Sequence, residues 1–262
     1  LKTGFDRVLA QQDLSAAYLN GAKPRRPLAL SDQQFIDAFI AHLQGLERQQ
    51  ATGDRTPFFV GIYNIETHAY YEMAEDGQAY TDADHYVLDA IHNLDAAFGR
   101  FWQYFRQSGL YGNTVVVLTT DHAAFQGKDF ASLVADQADY QPIFVDRIPL
   151  LIHHPGLDLP PAWDARQASS IDLAPTVAHL LQLDNRPNPF LGGSIFERER
   201  DRGLAFGEDH VYLIEPGGIR YQAGYRAPPE GDALLNRLHG IVSYTQACES
   251  EGRIWNAALE QR

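Results

Sequence analysis

A single cysteine, Cys248, excludes an intrachain disulfide and leaves the redox compartment unread. Basic side chains are also few: 21 Lys and Arg stand against 34 Asp and Glu, for a net charge of −13. So acidic a chain is not a general binder of nucleic acid or of anionic membranes, both of which demand a basic face. An anionic substrate can still be held where a metal or a few local cations neutralise it. Lysine is scarcest, with Lys2, Lys23 and Lys128 against 18 Arg. No apolar run approaches the roughly 18 residues of a membrane-spanning helix, and no leader pattern opens the chain. Internal repeats, low-complexity tracts and convincing domain linkers are missing too. So are the GxSxG, P-loop and GxGxxG signatures of familiar hydrolase and nucleotide sites.

What is present is a globular composition, with 45% apolar and 21% charged residues in 262. That is enough chain for one α/β domain with a sizeable core. The organising stretch is Thr114-Val115-Val116-Val117-Leu118-Thr119-Thr120-Asp121-His122. An unbroken apolar run of this kind suits a strand buried on both faces of a parallel sheet. Asp121 and His122 then emerge at its carboxyl end, where open α/β sheets place their ligand sites. Carboxylate and imidazole together are oxygen and nitrogen donors suited to Zn²⁺ or Mn²⁺. On the dipeptide alone, the start of a turn or a helix cap is the preferred reading.

Two further apolar runs, Phe58–Ile65 and Ile148–Ile152, complete the strand candidates. The first runs into Glu66-Thr67-His68-Ala69-Tyr70-Tyr71, a polar cluster directly after a strand. Ser31 followed by Gln34 is a capping-box pattern. Behind it Phe35, Ile36, Phe39, Ile40, Leu43 and Leu46 form the stripe of a helix reaching about Gln50. Val87, Ile91, Leu94, Phe98, Phe101, Trp102 and Phe105 mark a second helix over 84–107, closed by Ser108-Gly109. On it His85, Asp89 and His92 share a face, and a solvated polar surface is the preferred reading over a metal array. His153-His154 ends a strand, and adjacent strand residues point to opposite faces, so structural roles are preferred there.

The stretch Ala123–Asp146, with Lys128 and Tyr140, reads as long and irregular. Asp172 is expected to cap a helix over 173–182, with Pro175 in its first turn and Val177, Leu180 and Leu181 buried. Gly203–Tyr225 reads as short antiparallel strands, with Pro216-Gly217-Gly218 turning His210–Glu215 into Ile219–Gln222. Leu234, Leu238, Ile241, Val242 and Tyr244 suggest a last amphipathic helix continuing past Trp255. Three apolar runs separated by helical periodicity are the α/β pattern. The expectation is one predominantly parallel sheet flanked by helices, with a small antiparallel element near the C-terminus. His68, Asp121 and His122 are expected to converge at one end of that sheet.

Five segments in order carry a resemblance. Phe58-Phe59 through His68-Ala69-Tyr70-Tyr71, Ser108-Gly109-Leu110-Tyr111-Gly112-Asn113-Thr114, and Thr119-Thr120-Asp121-His122 are three of them. Ile148-Pro149-Leu150-Leu151-Ile152-His153 and Ser170-Ile171-Asp172-Leu173-Ala174-Pro175-Thr176 are the others. Together they resemble the sulfatase branch of the alkaline phosphatase superfamily, and within it the membrane-anchored phosphoglycerol transferases of the lipoteichoic acid synthase type.

The resemblance implies a divalent metal, Mn²⁺ or Zn²⁺ rather than Ca²⁺ or Mg²⁺, held in part by Asp121 and His122. It implies that His68 contacts a substrate phosphate. In that family the Thr nucleophile and an acidic metal ligand precede the segment matched by Gly4-Phe5-Asp6. The 262 residues therefore read as the carboxyl-terminal part of one such catalytic domain, inactive alone. The implied partners are phospholipid head groups or anionic glycans, with membrane attachment through the parent's upstream segment and a periplasmic or other extracytoplasmic location. A sulfatase or phosphodiesterase on the same scaffold, or a non-catalytic binding or structural domain, are the alternatives.

Overall fold

The computed structural model describes residues 5–26, 29–69, 73–82, 84–124, 127–137, 147–165, 167–183, 190–197, 202–207, 210–223 and 233–251. The chain forms two compact units. One comprises Leu1–Thr114 with Gly127–Leu133 and Pro155–Leu157; the other comprises Val115–Gln126, Val134–His154 and Asp158–Arg262.

The first unit is helical. A short helix α1, Gln11–Tyr18, lies on α2, Asp32–Ala51, and the Tyr18 hydroxyl meets His42 Nδ1 at 2.8 Å. The start of α2 obeys the capping box: Ser31 Oγ accepts from Gln34 N at 3.1 Å, and Gln34 Oε1 accepts from Ser31 N at 3.3 Å. Two of the helix's otherwise unpaired terminal groups are thus satisfied reciprocally. A single turn, α3, spans Glu66–Ala69, and α4 spans Tyr86–Gln107.

The packing of α2 against α4 makes this unit's core, with Ile36, Ala38 and Leu43 on one side and Val87, Ala90, Ala97, Phe101 and Phe105 on the other. Phe39 and Phe101 meet with ring centroids 5.2 Å apart. The buried face of α4 is rotated from the apolar stripe read in the sequence: Ile91 is 45% exposed, whereas Asn93 is buried. Asn93 is tolerated because Gln33 Nε2 donates to its Oδ1 at 2.7 Å and Gln78 N donates to the same oxygen at 3.1 Å. Those polar partners could not be read from periodicity.

The segment 58–65, expected as a strand, pairs with no described strand, and Phe59 and Tyr63 are 66% and 61% exposed. The stretch expected to be irregular after His122 contains a helix, α5, Lys128–Val134; Tyr140 lies outside the described residues.

In the second unit β1, Val116–Thr119, pairs with β2, Leu150–His153, and the pairing is antiparallel, with Val117 opposite Ile152. This corrects the expected parallel arrangement of the three apolar runs in one sheet. An apolar run specifies that a strand forms but carries no information on the direction of its neighbour. Burial on both faces is also not met: β1 is half-buried throughout, and Leu151 is 57% exposed. The α/β class holds.

A 3₁₀ turn, Ser170–Asp172, leads into α6, Leu173–Leu180. Asp172 does not cap that helix with its side chain. Its buried carboxylate accepts from Ser169 N at 2.9 Å and Gly193 N at 3.0 Å, tying the turn to residues 192–195. Leu180 is buried as expected, whereas Leu181 is 44% exposed.

The antiparallel element near the C-terminus is present as the meander β3 (Gly203–Gly207), β4 (His210–Glu215) and β5 (Gly218–Ala223). Pro216-Gly217 form its two-residue turn between the paired Glu215 and Gly218, and Gly218 takes φ +133°, open to glycine. The last helix, α7, spans Ala233–Ser250 and packs on β4. Val242 is buried but Tyr244 is 69% exposed; the expected continuation past Trp255 lies outside the described residues.

Candidate functional site

Asp121 and His122 follow β1 directly, at its carboxyl end, in the second unit. The strand is anchored there by Thr119 Oγ1, which donates to Pro149 O at 2.9 Å. Thr120 Oγ1 donates to His122 O at 3.1 Å and holds the turn. His122 Nδ1 lies 2.6 Å from Ala123 O. A carbonyl can only accept, so Nδ1 is the donor in this contact. His122 Nε2 is 3.8 Å from Asp121 Oδ1.

An imidazole fixed by Nδ1–H to a carbonyl is the usual outer-shell arrangement of a metal-ligating histidine. Two donors each about 2.1 Å from one tetrahedral ion lie about 3.4 Å apart, close to the spacing seen. The carboxylate is half-exposed and the imidazole largely covered. The donor set therefore fits two ligands of a divalent ion. Among the described residues no group of three or more His, Cys, Asp or Glu is clustered for a metal.

His68 lies in the first unit, on the exposed side of α3. Two residues earlier, Glu66 is wholly buried. Glu66 Oε2 accepts from Asp32 N at 2.6 Å and Oε1 from Ala74 N at 2.9 Å. Asp32, at the first position of α2, is 1% exposed, and its Oδ1 accepts from Asn64 Nδ2 at 3.0 Å. Burial pushes the Asp32 carboxyl up to about 6; the bond from Asn64 opposes this and the neighbouring Glu66 charge adds to it. Sequence reasoning missed Asp32 and Glu66 as a pair. An Asp in the first turn of a helix ordinarily signals a favourable dipole interaction, and nothing in the pattern shows that it is buried.

The remaining polar candidates are structural. His85 is the N-cap of α4, accepting from Val87 N at 3.3 Å, and Asp89 Oδ1 accepts from Tyr80 N at 2.7 Å. His92 packs against the Tyr80 ring at 5.6 Å. His154 Nε2 meets Leu180 O at 3.1 Å, joining the end of β2 to α6. The α4 group is thus half-buried and partnered rather than the solvated surface expected, whereas His154 has the structural role expected of it.

The fold has a counterpart among solved structures. A protein in the alkaline phosphatase superfamily from Vibrio parahaemolyticus superposes with a TM-score of 0.65 at 20% identity, covering 97% of this chain and 61% of that one. At that identity the likeness establishes the shared fold alone. The Sulfatase family profile matches residues 2–183, and the chain belongs to the Sulfatase family.

Its relatives include the lipoteichoic acid synthase-like YvgJ of Bacillus subtilis, 23% identical over 207 residues, covering 70% of this chain and 31% of that protein. Lipoteichoic acid synthase 1 of the same organism is 25% identical over 190 residues, covering 68% of this chain and 28% of the relative. An endo-4-O-sulfatase of Bacteroides thetaiotaomicron is 28% identical over 153 residues, covering 57% and 28%. The chain thus spans about a third of the length of these relatives.

Proposed function

We propose that these residues serve metal and phosphate binding in a phosphoglycerol transferase acting on lipid-derived head groups at an extracytoplasmic membrane face. The observation that carries the reading is the Asp121–His122 pair, with imidazole Nδ1 donating to Ala123 O and Nε2 beside the carboxylate. The relatives named lipoteichoic acid synthase support the substrate class. Asp121 and His122 would contribute two ligands to Mn²⁺ or Zn²⁺, which when bound lowers the pKa of a coordinated hydroxyl and offsets charge on phosphoryl oxygens. Separately, His68, exposed on α3 of the first unit, would donate a hydrogen bond to a substrate phosphate oxygen. No nucleophile is assigned among the 262 residues.

A second reading is favoured by one relative, the endo-4-O-sulfatase: hydrolysis of a sulfate ester on an anionic glycan. The test is turnover of a fluorescent phosphatidylglycerol and of an aryl sulfate by the intact gene product with Mn²⁺ or Zn²⁺. The expected result is lipid turnover that Asp121→Ala or His122→Ala abolishes and that His68→Ala slows by roughly 10²–10³, the scale of one lost oxyanion donor. Turnover indifferent to Asp121 and His122 would refute the metal assignment. Preference for the aryl sulfate would replace the first reading by the second.

A further inference from the structure

The turn that bears His68 is fastened on both flanks to a single point, the amino end of α2. Ahead of it, Asn64 Nδ2 donates to Asp32 Oδ1 at 3.0 Å. Within it, Glu66 Oε2 accepts from Asp32 N at 2.6 Å. Behind it, Ala74 N donates to Glu66 Oε1 at 2.9 Å. Further along, Ser31 Oγ donates to Asp76 Oδ2 at 2.9 Å, and Arg25 Nε lies 3.7 Å from the same oxygen. His68 N itself donates to Ile65 O at 3.0 Å, closing the turn.

Residues two apart on a helical turn point roughly 200° from one another. Burying Glu66 completely therefore presents His68 outward, as found. A carboxylate is an expensive way to fill a buried position, since an apolar side chain of similar volume avoids its desolvation. What Glu uniquely offers here is two acceptor oxygens and no donor, one for each flank of the turn. Gln would aim an NH₂ group at one of the two backbone N–H donors, and Asp, one methylene shorter, has less reach. Burial, with the neighbouring Glu66 charge, pushes the Asp32 carboxyl towards its neutral form.

We propose that Glu66 is the positioning residue for His68, with Asp32 and Asn64 completing the clasp that sets where the imidazole meets a phosphate oxygen. The inference rests on the assignment of His68 to phosphate given above. It is tested by recording histidine-ring ¹H–¹³C spectra of the protein during titration with sn-glycerol 3-phosphate, well below the melting temperature of each variant. In the wild type the His68 resonance moves on titration, and in His68→Ala the response disappears. Glu66→Gln weakens the apparent affinity about tenfold, about one hydrogen bond's worth, and shifts the His68 resonance before any ligand is added.

Asn64→Ala, a milder cut at one leg of the clasp, weakens affinity in the same direction by about threefold and decides the matter if Glu66→Gln does not fold. A purely structural role would lower the melting temperature and leave affinity and the His68 resonance unchanged. Wild-type affinity in Glu66→Gln, or in Asn64→Ala where Glu66→Gln is unfolded, overturns the inference and leaves the role of His68 standing. No His68 response in the wild type overturns the phosphate assignment, and the inference falls with it.

Discussion

Asp32 makes stability depend on pH in the direction opposite to that of a salt-bridged aspartate. Asp32 is 1% exposed, and its Oδ2 has no hydrogen-bond partner among the described residues. Burial raises its pKa from 3.8 to about 6. Between those values the folded protein keeps a proton that the unfolded chain releases, so the free energy of unfolding falls as pH rises. The contribution is full below about pH 4 and lost above about pH 6. At 1.36 kcal/mol per pH unit the gap amounts to about 3 kcal/mol.

Other carboxylates titrate in the same range, so the quantity to measure is the difference between the wild type and Asp32→Asn. Urea unfolding between pH 4 and 7.5, followed through Trp102 fluorescence in the same compact unit, supplies it. The wild type should lose about 2.4 kcal/mol more than Asp32→Asn across this interval. The constant offset from an amide in place of the carboxyl does not affect that slope. A direct ¹³C titration of the Asp32 carboxyl should give a midpoint near 6. Curves parallel within about 0.5 kcal/mol would show that the carboxyl is not desolvated as its surroundings indicate.

Ser31→Ala removes both an N-cap acceptor for Gln34 N and a donor to Asp76; urea unfolding should register a loss of about 2 kcal/mol, the upper end for a cap. Phe105→Ala empties a position 1% exposed in the α2–α4 core, and the same assay should give about 3–5 kcal/mol. Gly192→Ala would set a Cβ 2.3 Å from Ile171 O and 2.5 Å from Asp172 Oδ1. Backbone must move to admit it, so a loss of about 1–3 kcal/mol is expected, read as a lower melting temperature. His122→Ala should abolish the bound Mn²⁺ signal in electron paramagnetic resonance titrations while leaving the far-ultraviolet circular dichroism unchanged; retained binding would remove His122 from the ligand set.

Where periodicity or a specific local contact carries the information, the sequence by itself determined the outcome. Ser31 and Gln34 are three residues apart in any context, so the start of α2 was legible, and Pro216-Gly217 dictated the β4–β5 hairpin for the same reason. The Asp121–His122 pair stood out because two donors interrupt an apolar run. The direction of β1 against β2 was decided only in three dimensions. Strand residues advertise their own extension and not the strand they will meet. The burial of Asp32 and Glu66 likewise depends on Asn64 and Ala74, 32 and 8 residues away from them respectively. A carboxylate in a helix's first turn looks solvated until tertiary structure withdraws the water and supplies the amides instead.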